Sequence, residues 1–205
     1  MLLRLIPMHL LTKPSLSHPT HLPVTARLAR FDDATKRAGG WLAPGFSSST
    51  AYIHLSQGLV CVFDGICPGE RGLTHQQVGA AGMSVHQMWN LAADQLVRRA
   101  HRPHGIEFLV RCPSAQLGDG HELPRGYEVD GHGVPAAAWL AHPKTFTVLH
   151  RHFEAVLQPA SGLIYASRDL QELFVFDASA NEVAAICGDD AVLTYSVGFP
   201  LLPVP

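Results

Sequence analysis

Histidine carries most of the chemical capacity of this sequence: thirteen imidazoles stand in 205 residues, against fifteen lysines plus arginines. Each titrates near pH 6.5, so acidification from pH 8 to 5.5 would move the formal charge from −2 towards about +9 if all of them were free. Metal binding asks for a different pattern. There is no His-Glu-x-x-His, no Cys-x-x-Cys and no regular histidine spacing along a helix. The closest local pair is His101 and His104, but Pro103 places it in a turn after a helix, where an imidazole also suits the carbonyl end of that helix. His150 lies at the flank of an apolar helical face, one turn from Glu154, and is expected to be hydrogen-bonded and partly buried, with His152 pointing elsewhere.

Cys61, Cys67, Cys112 and Cys187 follow no paired spacing. Cys61 and Cys112 fall in apolar, strand-like runs where a thiol behaves as a small hydrophobe, and four thiols in a reducing cytoplasm are expected. A nucleophilic thiol needs an electropositive setting. Cys67 in the loop Gly65-Ile-Cys-Pro-Gly-Glu-Arg71-Gly is the candidate, with Arg71 near enough in sequence to favour a thiolate. That loop carries neither Gly-x-Gly-x-x-Gly nor Gly-Lys-Ser/Thr, so its glycines read as turn residues rather than a phosphate cradle. Asp64 and Asp177 could together bind a cation or serve as acid and base, although aspartate at a strand end ordinarily caps a turn. Ser167, Arg168 and Asp169 suit a hairpin turn, and Trp41, Trp89 and Trp139 suit core anchors. No catalytic, cofactor-binding or metal-ligating set assembles from these residues, and no cofactor is expected.

The elements that would position them read as an α+β fold. Val24, Leu28, Phe31 and Ala38 share a helical stripe, Asp33 and Arg37 pair four apart, and Gly39 offers a stop, which predicts a helix over 24–38. A hairpin follows at Tyr52–Leu55 and Leu59–Phe63. Ser84 and Gln87 form a capping-box pattern, Met83 and Met88 a hydrophobic staple, and Val85, Met88, Trp89, Ala92, Leu96 and Ala100 one apolar arc. Alternation over Gly105–Cys112 predicts a strand with one buried face, and Tyr127–Val129 a short edge strand. Pro135–Leu140 suits one or two helical turns; Pro143 opens a helix bearing Phe146, Leu149, Phe153, Val156 and Leu157, ended by Pro159 and Gly162. A second hairpin at Leu163–Ala166 and Leu173–Phe176, a helix capped by Ser179 and Glu182 and stopped by Gly188, and a strand over Leu193–Phe199 complete the chain. The tail from Pro200 is unable to continue a sheet interior.

The two hairpins align: Ile53, Ser56 and Val62-Phe63-Asp64 match Ile164, Ser167 and Val175-Phe176-Asp177. Together these signals predict a mostly antiparallel sheet of about six strands with helices packed on one face, built from two duplicated helix-hairpin-helix-strand halves. The division is a flexible tail over 1–22, a first half over 23–134 and a second over 135–205, packed as one globular unit. Met1–Leu11 is interrupted by Arg4, Pro7 and His9, so neither a signal peptide nor a membrane span is expected.

Charge narrows the partner class. A formal charge of −2 and a pI near 6.7 argue against nucleic acid. Residues 1–37 hold six basic and two acidic side chains, whereas 169–205 hold six acidic and no basic ones. If these ends meet they neutralise one another; otherwise the acidic end is a docking surface. The expectation is a non-catalytic cytoplasmic binding or adaptor protein with a protein partner or a second copy of itself, and the alternative a metal- or Cys/His-dependent enzyme or sensor.

Overall fold

The computed structural model describes residues 23–35, 49–65, 72–118, 123–160, 162–196 and 199–201. The first elements are strand β1 (Val24–Arg30), a short helix α1 (Phe31–Thr35), and the hairpin of β2 (Tyr52–Ser56) and β3 (Leu59–Gly65), turned by Gly58 at φ 76°. Helix α2 (His75–Ala80) and helix α3 (Val85–Ala100) each begin with a complete capping box, from Thr74 with Gln77 and from Ser84 with Gln87. In both, side chain and backbone satisfy one another's open amides, which fixes where the helix starts.

A two-stranded ribbon of β4 (His101–Arg102) and β5 (Gly105–Ile106) precedes β6 (Val110–Arg111), the short helix α4 (Ser114–Leu117) and β7 (Gly126–Val129). After a 3-10 turn at Ala136–Leu140 comes helix α5 (Pro143–Leu157), capped by the imidazole of His142, which accepts from Lys144 N at 2.9 Å. The chain then forms β8 (Leu163–Ala166), β9 (Phe174–Asp177), helix α6 (Ala180–Cys187), β10 (Val192–Ser196) and β11 (Phe199–Leu201).

The strands assemble antiparallel into a six-stranded sheet ordered β11-β10-β8-β9-β7-β6 and a three-stranded sheet ordered β1-β3-β2, with β11 lying alongside β2. One apolar cluster joins the two. It takes Val24, Ala26 and Leu28 from β1, Phe63 from β3, Met88 and Leu96 from α3, Trp139 from the 3-10 turn, Leu149 and Phe153 from α5, and Val175 from β9. Burial of such side chains, each contributing about 2 kcal/mol, holds the sheets and helices together. On the reverse of the larger sheet, α6 lays Val183 over Phe174 and Phe176.

The α+β architecture with an antiparallel six-stranded sheet is as expected, while several elements differ. Residues 24–30 are a strand, because Val24, Ala26 and Leu28 point inward at period two; Val24 and Leu28 satisfy a helical spacing as well, which misleads the sequence reading. Arg37 and Gly39 lie outside the described residues. Tyr127–Val129 belongs to an interior strand, since β7 is flanked by β9 and β6. The predicted strand over 105–112 divides into β5 and β6, and the final strand folds back as β10 and β11, so Pro200 stands in a terminal strand of its sheet. Helix α5 ends on Gln158 in the left-handed region at φ 44° rather than on Gly162.

The hairpins lie in different sheets, and their aligned residues face different surroundings. Phe63 points into the main cluster and Val62 away from it, whereas Val175 points in and Phe176 away. One residue of offset reverses every side chain on a strand, so the shared Val-Phe-Asp triplet does not mark equivalent positions. The strand orders β1-β3-β2 and β7-β9-β8 do run in parallel sequence.

Candidate binding site

Leu109 is the large apolar side chain left exposed among the described residues, at 39 %. It stands beside β6, the last strand of the larger sheet among the described residues, next to a groove of about 370 Å³ lined by Leu109, Arg111, Glu128, Asp130, Gly131 and Glu172, among others. Each of these residues is placed by strand register. Arg111 lies opposite Glu128 across β6 and β7 and grips it with two bonds, Nε to Oε2 at 2.6 Å and Nη2 to Oε1 at 2.5 Å. Glu128 is buried, and this paired contact is what makes a carboxylate tolerable there. The same contact raises the Arg111 pKa, chiefly through its hydrogen bond to Glu128.

Past the end of β7 the chain doubles back. Asp130 Oδ1 accepts from His132 N at 2.7 Å and Val134 N donates to Gly131 O at 3.2 Å. A Cβ on Gly131 would come within 1.7 Å of Val134 O, so this turn admits glycine alone. The facing wall is the loop between β8 and β9. Ser167 Oγ donates to Glu172 O at 2.6 Å, Asp169 Oδ1 accepts from Gln171 N and Glu172 N, and Arg168 holds Glu172 through Nε at 2.5 Å and Nη2 at 2.8 Å. The groove therefore presents three carboxylates and one guanidinium along its own lining.

Replacing Arg111 by methionine should lower the melting midpoint by about 3 °C, because Glu128 would remain buried without its partner. The double replacement with Glu128→Met should recover part of that loss, as a thermal denaturation cycle over the four proteins would register.

The residues singled out from the sequence are dispersed. His101 and His104 are exposed in the ribbon of β4 and β5. His150 is part-buried, as expected: its Nδ1 lies 2.6 Å from Tyr165 Oη and its Nε2 3.2 Å from Glu154. Burial raises the Tyr165 pKa, so the phenol keeps its proton at neutral pH. His152 departs from expectation. The inner face of α5 runs through Thr145, Val148, Leu149, His152 and Phe153, which puts the imidazole in the core, 4.8 Å from the Phe108 ring centroid. Burial lowers its pKa to about 4, and that of the cap His142 to about 4 as well, so neither contributes to a charge reversal at pH 5.5.

Cys61 is fully buried and its thiol is pushed up to about 12 by that burial. Burial also raises the Cys187 pKa. Cys112 follows β6 and is exposed, its Sγ 3.1 Å from Ser114 Oγ, rather than lining a strand interior. Cys67, Arg71 and Trp41 lie outside the described residues. Asp64 and Asp177 do not converge: Asp64 accepts from Arg27 and Gly72 N at the end of β3, and Asp177 from Ala160 N at the end of β9. Trp139 is a core anchor, and Trp89 packs on His142 while donating to Ala141 O at 2.8 Å. Arg30 of the basic end donates to the main-chain oxygen of Asp190 in the acidic end at 3.3 Å, a contact that does not use the carboxylate.

The groove was not visible as a site in the sequence, although one signal for it existed. Leu109 interrupts the alternation of buried Phe108 and Val110 with polar Glu107 and Arg111, an apolar side chain on the outward face. Among the described residues no three His, Cys, Asp or Glu side chains stand close enough to hold a metal ion, and no helix is long and apolar enough to cross a membrane. In comparisons with known proteins, no family model, no curated protein and no solved structure matches this chain.

Proposed function

We propose that this chain is a non-catalytic protein-binding module that docks a protein partner on the surface beside Leu109. The observation that carries this reading is the coincidence, at one place, of the exposed Leu109, a lined groove and the last strand of the larger sheet among the described residues. An apolar side chain left exposed beside a groove is suited to receive a partner's side chain. A surplus of carboxylates in the lining disfavours a second copy of the same surface. Glu172, one of the acidic residues of the C-terminal third, belongs to the groove, which gives that charge a docking role. The reading places the protein in a reducing cytoplasm, where the exposed Cys112 stays a thiol.

Affinity purification of the tagged chain from cells that express it, run beside Leu109→Asp, tests the proposal. A stoichiometric partner retained by the natural chain and lost with the variant is the expected outcome. A solitary monomer by light scattering, with no partner recovered, would end the reading.

A further inference from the structure

Apart from the Leu109 groove, we infer that the end of α3 and the β4–β5 ribbon form a second docking surface, which receives a short acidic segment of another protein. Basic side chains gather there within seven residues: Arg98, Arg99, His101, Arg102 and His104, all exposed but for the part-buried Arg99. The fold holds them in place. His101 pairs with Ile106 and Arg102 with Gly105 across the ribbon, and Arg102 Nη1 donates to Arg99 O at 2.9 Å and to His101 O at 3.0 Å. His101 N donates to Arg98 O and Glu107 N to Ala100 O, so the carbonyls of the last three residues of α3 are all occupied. The negative end of the helix is thereby covered, and the basic side chains are what an incoming group meets.

These arginines lack the carboxylates that others hold. Arg27, Arg111 and Arg168 pair with Asp64, Glu128 and Glu172, whereas none of Arg98, Arg99 and Arg102 forms an ion pair among the described residues. Asp94, one turn before Arg98 on α3, is bound instead by Lys144 at 2.5 Å. Cations gathered without counter-charge favour an anionic occupant, and the guanidinium fork matches a carboxylate with two parallel bonds. Each exposed imidazole adds an N–H donor in either protonation state.

Charge elsewhere limits what that anion is. The three arginines supply +3 of a formal total of −2, which leaves −5 on the rest of the chain. A long polyanion such as nucleic acid would run off the patch into repulsion, whereas a few acidic residues stay within about one Debye length of it, roughly 8 Å at physiological salt. A second copy is a poor fit. In its C-terminal third Asp169, Glu172, Asp177 and Glu182 are bonded within their own loops and caps, which leaves Asp189 and Asp190 to meet three arginines.

Fluorescence anisotropy of a labelled hexaglutamate peptide, titrated with the full chain at about 50 mM salt, tests the surface. Arg98→Gln should weaken binding roughly threefold and the double replacement with Arg102→Gln roughly tenfold, while Arg151→Gln, at an exposed position of α5, should change it less than about twofold. Arg102 also closes the end of α3, so the Arg98 variant decides the test if the double one folds poorly. Leu109→Asp should bind the peptide as the natural chain does, which separates the ribbon from the groove. No binding at low salt, or equal losses from Arg151→Gln and Arg98→Gln, would overturn the inference. So would a six-nucleotide single-stranded DNA bound more tightly than the peptide through the same arginines, or self-association of the chain that Arg98→Gln abolishes.

Discussion

Gly131→Ala should destabilise the protein by about 3 kcal/mol or more, a large share of the stability of a domain this size. The added methyl carbon would fall 1.7 Å from Val134 O and 2.8 Å from Ala136 N, and both neighbours are backbone, so neither can swing aside as a side chain would. Relief requires opening the turn that Asp130 Oδ1 and the Val134 amide close. The consequence reaches the groove, because Asp130, Gly131 and Ala136 all line it. Gly133, two residues on, is the control. It has φ 81° and nothing within 4 Å of a built Cβ, so Gly133→Ala should cost only about 1 to 2 kcal/mol of backbone strain. Chemical denaturation of the two variants compares them. Equal losses would show that crowding at Gly131 is not what shapes the turn.

The second large effect is on acid stability. His152 is 6 % exposed, is enclosed by Phe108 and Phe153, and has a folded-state pKa of about 4 against an ordinary value of 6.5. The unfolded chain therefore binds this proton at a higher pH than the folded one. Its contribution is present in full above pH 6.5, declines as the pH falls, and is gone below about 4. The amount is on the order of 3 kcal/mol. His142 acts in the same direction over the same window, because protonation would charge a half-buried ring and remove the acceptor that caps α5. Its contribution is smaller, since solvent reaches it. Unfolding free energies measured from pH 7 to 5.5, above the range where most carboxylates titrate, should fall steeply. In His152→Leu the fall should be less than half as steep, with stability at pH 7 within about 1.5 kcal/mol of the natural protein. An unchanged slope would place the acid sensitivity elsewhere.

What the sequence revealed and what it hid follow from how local each signal is. The starts of α3 and α6 were legible because Ser84 with Gln87 and Ser179 with Glu182 satisfy their amides within four residues. The hairpins were legible for the same reason, each being turned by its own short loop. At β1 the sequence is ambiguous, because Val24 and Leu28 are compatible with both periods and only the antiparallel partner β3 selects between them. His152 was misplaced by a rotation of the inner face of α5, which the aromatic neighbour Phe108 on another segment decides. The groove was hidden altogether. Glu128 is acceptable inside only because Arg111 lies opposite it, and Glu172 enters the lining only because the loop of the second hairpin folds over the end of β7, a strand far from it in the chain. Pairings over such separations are set by the sheet, and no local pattern announces them.

Amide hydrogen exchange along β6, followed residue by residue in the full chain with and without the partner recovered by affinity purification, tests the docking surface most directly. The partner should slow exchange at Leu109 and its neighbours in β6 markedly, and Leu109→Asp should abolish the slowing. Protection that appears elsewhere, on the Trp89 and His142 surface for example, with β6 unchanged, would contradict a docking surface beside Leu109.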